Sequence, residues 1–107
     1  MITFEETAAA CTQGSDAGTM SFPEVLGRLQ EAGVERYLAD LVRGEKTYYR
    51  IDGASCVVAG KQVGNAPSPS FDPAGVEAAI RASQARSIDY GEFCRRAVAA
   101  GCVGYVV

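Results

Sequence analysis

A chain of 107 residues, 48% apolar and 21% charged, has the size and balance of one globular domain spanning residues 1–107. Its formal net charge of −3 excludes the clustered basic surface that nucleic acid demands, and no apolar run approaches the length of a membrane span. With no histidine in the chain, His-based triads and mixed Cys/His zinc sites are excluded as well.

The N-terminus, Ile2-Thr3-Phe4-Glu5-Glu6, has neither the basic nor the apolar region of a signal peptide, so the expected location is the cytoplasm. Thr3 and Glu6 have capping-box spacing and open a short helix ending about Thr12. Gln13 to Thr19, with Gly14, Ser15, Asp16 and Gly18, reads as a connector. Ser21 and Glu24 form a second capping box, Met20 and Val25 a hydrophobic staple, and Gly33 the left-handed stop of a helix with Val25, Leu26, Leu29 and Ala32 on its apolar face. Val34 to Val42 reads as a strand with Tyr37, Ala39 and Leu41 on one side and Arg36, Leu38 and Asp40 on the other. Gly44-Glu45 suits a two-residue type II′ turn, Lys46 to Ile51 the return strand, Asp52-Gly53 a type I′ turn, and Ala54 to Val58 a third strand. Gly60 to Ser70 is a long loop rich in Gly and Pro. Asp72-Pro73 opens a third helix with Val76, Ala79, Ile80 and Ser83 along one stripe, Ile88 to Ala100 is a fourth, and Val103 to Val107 a last strand.

The segment Met20 to Leu38 recurs without a gap 68 residues on, at Ile88 to Val106. Glu24/Glu92, Arg28/Arg96, Ala32/Ala100, Gly33/Gly101 and Tyr37/Tyr105 are identical. Asp89 takes the place of the cap, Ile88 and Phe93 that of the staple, and Gly101 that of the stop. The expected fold is therefore α+β, with two helix-helix-strand pseudo-repeats (about 3–59 and 71–107) whose helices pack on one face of an antiparallel sheet.

Phe22-Pro23-Glu24-Val25, Ala32-Gly33-Val34-Glu35-Arg36-Tyr37, Gly44-Glu45-Lys46-Thr47-Tyr48-Tyr49 and Ile88-Asp89-Tyr90-Gly91-Glu92-Phe93 together resemble the YbcV-like bacterial proteins, also called domain of unknown function 1398. Many of these carry the label "phage envelope protein", so the resemblance implies a phage-related structural role as one reading and no particular activity. Its members continue past the second Ala-Gly-x-x-x-Tyr with another hairpin, which implies that Val103 to Val107 here pairs elsewhere or forms a sheet edge.

Chemistry is sparse. The four cysteines, Cys11, Cys56, Cys94 and Cys102, lie in apolar stretches without CxxC spacing, pointing to buried thiols and to neither disulfides nor metal ligands. Glu24 and Glu92 are explained by capping, Arg28 and Arg96 by the helical ion pair four residues on, and no Gly-rich phosphate loop exists. No catalytic residue, metal or cofactor is expected. Arg36, Asp40 and Tyr49 form the one candidate ligand-binding set, because pairing across Gly44-Glu45 sets Asp40 opposite Tyr49 on the face that carries Arg36. These three could hold a small polar ligand or form a surface network. The functional expectation is a small cytosolic interaction or regulatory module without catalysis, working with an as yet unknown protein partner and pairing as a homodimer through its uncharged C-terminal strand. The alternative is a small-molecule-binding protein or enzyme using the face around Arg36, Asp40 and Tyr49.

Overall fold

The computed structural model describes residues 2–107. Helix α1 (Phe4–Ala17) starts where the Thr3 hydroxyl oxygen accepts the Glu6 amide at 3.1 Å. It runs through the segment expected to be a connector, and packing explains why. Gly14 lies so close to Met20 that a Cβ there would stand 2.7 Å from Met20 Cβ, so the residue that weakens the helix locally is required by the contact. Gly18, at φ 72°, ends it.

Helix α2 (Phe22–Glu31) is capped by Ser21, whose hydroxyl oxygen accepts the Glu24 amide at 3.3 Å. The Glu24 carboxylate turns instead to Arg28, at 2.9 Å. Strand β1 (Val34–Asp40) follows, then β2 (Glu45–Arg50) and β3 (Ser55–Ala59), all antiparallel. Helix α3 (Pro73–Gln84), helix α4 (Tyr90–Ala99) and strand β4 (Gly104–Val106) complete the chain. Because β4 pairs with β1, the sheet order is β3-β2-β1-β4 and β4 is an edge.

Both hairpins differ from expectation. Asp40 pairs with Glu45, so the first loop is Leu41 to Gly44, held by the Asp40 carboxylate accepting the amides of Val42 and Arg43 at 3.0 and 2.9 Å. An Asp that builds its own turn outcompetes a Gly at the first loop position. In the second, the Arg50 amide reaches Ala54 O at 2.8 Å around Ile51, Asp52 and Gly53. Only Gly53 (φ 93°) has positive φ there, so this is a three-residue loop with a left-handed glycine and not a type I′ pair, which needs two.

The helices share one face of the sheet. Phe4, Ala8 and Cys11 of α1 and Val25 and Leu29 of α2 close over Tyr37 and Tyr48. Cys94, Ala97 and Val98 of α4 close over Leu41, with Tyr105 packed against both groups. Helix α3 rests on α4 through Ala79; Ile80, expected on its buried stripe, is 41% exposed because it points away from that contact. The Asp72 side chain makes no capping bond, and its backbone amide is instead tied to Ala100 O at 2.7 Å.

Candidate functional site

The residues alternating with the core on each strand form a sheet face that no helix covers. Register places Val57 opposite Thr47, Thr47 opposite Leu38 and Leu38 opposite Val106, one line across all four strands. Val57, Leu38 and Val106 are 60%, 39% and 65% exposed. Beside this line, Arg36 pairs with Tyr49, its guanidinium carbon 4.3 Å from the ring centroid. Together with Leu38 and Val106 they border a shallow hollow of about 160 Å³.

Asp40 is not part of it. The four-residue loop shifts the pairing expected from the sequence, so Asp40 faces Glu45 at the far end of the strand and spends its carboxylate on the turn. Of the three candidate ligand-binding residues, the structure brings Arg36 and Tyr49 together and leaves Asp40 out. Glu35, the neighbour of Arg36, neutralises part of its charge through an ion pair.

The opposite face of the sheet holds a second arrangement. Lys46 alternates with Tyr48 on β2 and so points into the helical layer, where it is 6% exposed. Its ammonium lies 4.4 Å from the Tyr90 centroid and 5.6 Å from that of Tyr37. The tip reaches a small cleft between α1, α4, the β1–β2 turn and the loop after β3, lined among others by Thr12, Asp16, Lys61, Tyr90 and Cys94. Burial lowers the Lys46 pKa, with Asp16 partly opposing it. Burial raises that of Cys94, while Tyr90 and Lys46 work the other way. Tyr90 is pushed far up by burial and by Tyr105, whose hydroxyl lies 2.6 Å from its own.

Sequence reasoning weighed Lys46 only as part of a strand. The signal that marks it is parity: once Tyr48 is taken as core, the residue two before it must face the core too. All four cysteines are free thiols, two of them buried. Among the described residues, no group of three or more His, Cys, Asp or Glu is placed to hold a metal ion, and no helix is long and apolar enough to cross a membrane.

Fold and site together define a small α+β domain with one bare sheet face and one lysine-bearing cleft. Residues 20–107 match the family described as "Protein of unknown function (DUF1398)", and the chain belongs to that family. No curated protein and no solved structure matches it. The matched region begins at Met20, so α1, which supplies Thr12 and Asp16 to the cleft, precedes it.

Proposed function

We propose that the protein is a small cytosolic interaction module that pairs with a second copy of itself through β4. The observation that carries this reading is the apolar line Val57–Thr47–Leu38–Val106, which runs off the sheet at an edge strand. Tyr37 exchanges backbone bonds with Val107, and the Leu41 amide donates to Val103 O, so by alternation the amides of Gly104 and Val106 face outward. The strand has no charge and no proline, the two devices that most often block edge pairing. An antiparallel pairing of Gly104 with the second copy's Val106, about a two-fold axis at Tyr105, uses those amides and joins the two apolar lines. Free thiols fit a reducing compartment.

Sedimentation equilibrium of the wild type and of Val106→Lys tests the proposal. Val106 is exposed, so the variant keeps its fold, and circular dichroism checks that. The expected result is a wild-type dimer that Val106→Lys converts to monomer. A wild type that stays monomeric at high concentration rejects the reading. The small-ligand alternative now rests on Arg36 and Tyr49 without Asp40, and the phage-related structural reading rests on the family label alone.

A further inference from the structure

Burying an unpaired ammonium costs several kcal/mol in a protein interior, whereas a desolvated cation–π contact returns about 2 kcal/mol. Lys46 has the second without an ion pair: among the described residues, none of the ion pairs includes it. Burial without an ion pair therefore lowers the pKa of this amine, so that it gives up its proton more readily than an exposed lysine does. A neutral primary amine with its tip in a cleft is a nucleophile toward carbonyl carbon.

We propose that Lys46 captures short, uncharged aldehydes as a Schiff base in the cleft between α1 and α4. Size sets the first limit. The space is about 20 Å³, room for about one water-sized group, so the carbonyl lies beside Nζ and any tail extends toward solvent. Charge sets the second. The rim carries Asp16, Asp40 and Glu45 against Lys61 and against Arg43, which pairs with Glu45 at 3.0 Å, and the remaining carboxylate excess repels anionic carbonyls such as 2-oxo acids.

The step needs no oxidant or reductant. The Nζ lone pair bonds to the carbonyl carbon while the π pair moves to oxygen, and one nitrogen proton passes to that oxygen to give the neutral carbinolamine. The nitrogen lone pair then forms C=N as the C–O bond breaks, and the oxygen leaves as water with a second proton, matched by the proton that nitrogen releases to give the imine. The titratable groups around the amine are Cys11 and Asp16 from α1, Tyr37 and Asp40 from β1, Glu45 from β2, Tyr90 and Cys94 from α4, and Lys61 from the loop. Burial raises the pKa of both thiols and both phenols, which keeps them neutral near pH 7. The charge around the amine is therefore that of Asp16, Asp40 and Glu45 against Lys61, with Asp16 the carboxylate that most opposes the lowering of its pKa; the Asp16 carboxylate also accepts the Lys61 amide at 2.8 Å.

The chain has two lysines, and exposed Lys61 is an internal reference for Lys46. The folded protein is treated with propanal and cyanoborohydride, which reduces the imine to an N-propyl amine, and the digest is read by mass spectrometry over a pH series. Lys46 is expected to be propylated several-fold faster than Lys61 at neutral pH, the ratio falling as pH rises and approaching one in urea. Glyoxylate in place of propanal is expected to mark Lys61 and spare Lys46. Labelling of Lys46 no faster than Lys61 in the folded protein overturns the proposal, as does a preference that survives in urea. Glyoxylate marking Lys46 as readily as propanal overturns the substrate class.

Discussion

Gly33 and Gly101 end α2 and α4 in one left-handed conformation, φ 81° and 87°, yet their surroundings differ. A Cβ on Gly33 would meet only the Arg50 guanidinium at 3.6 Å, the end of a flexible side chain. A Cβ on Gly101 would stand 2.5 Å from Ser70 O and 2.9 Å from Phe71 Cα, both backbone. Gly33→Ala is therefore expected to cost about 1–2 kcal/mol, the penalty for a left-handed L-residue. Gly101→Ala should cost clearly more, because the segment crossing it must also move. Urea denaturation of the two variants gives the ranking, and equal midpoints would mean that the loop before α3 yields freely. The sequence marks both glycines as helix stops, but only the fold shows that the second is also a crossing point.

At the scale of elements, the helices were the legible part, because caps and stops are local and residues such as Ser21, Asp89 and Gly101 announce them. Thr3, Ser21 and Asp89 each accept the amide three residues on. The hairpins were legible only in parity. Moving the loop from Gly44-Glu45 to Leu41 through Gly44 slides β2 by four residues along β1, an even number, so Tyr48 stays in the core and Tyr49 stays outside while every partner changes. That slide dissolved the Arg36–Asp40–Tyr49 set and left Asp40 a turn-former. Asp40→Ala is accordingly expected to lower stability by about 1–2 kcal/mol through two amides losing their acceptor, partly replaced by water. Thermal unfolding measures it; an unchanged midpoint would show that the turn holds without the carboxylate. The helix break expected at Gln13 does not form because the stop lies at Gly18: the Gly14 carbonyl accepts the amides of Thr19 and Met20, and Met20 folds back onto Gly14.

For the molecule as a whole, the tyrosines bind the two core clusters into one unit. Tyr37 lies 5.2 Å from Tyr48 and 6.5 Å from Tyr105, ring centre to ring centre, and Tyr105 continues to Phe93 at 5.9 Å. Helix α1 joins the same unit through Thr12, whose hydroxyl meets that of Tyr48 at 2.8 Å. Burial raises the pKa of Tyr37 to about 12 and drives Tyr48, Tyr90 and Tyr105 higher still, from an ordinary value of 10. Folded values above the unfolded value mean that the stability tied to these phenols is complete below pH 10 and is lost as pH climbs beyond it. Lys46 has the opposite sign, since a depressed amine makes stability rise with pH up to its unfolded value, but it is one group against four. The expected outcome is alkaline unfolding above about pH 10 in which tyrosinate absorbance and loss of helix signal appear together. In a Tyr49→Phe variant, which removes the tyrosine of the uncovered face, tyrosinate forming while the helices persist would place these four hydroxyls in reach of solvent.

The pairing of β1 with β4 also orders events in time. The β1–β2–β3 meander joins neighbours in the chain and can zip as soon as Ala59 has left the ribosome, whereas Leu38 waits for Val106. Throughout that interval the nascent sheet carries a raw flank at β1, where Leu41 lacks α4 and Tyr37, though covered by α1 and α2, lacks Tyr105. Synthesis speed between Gly60 and Gly104 thus sets how long a sticky half-sheet is on offer to neighbouring chains.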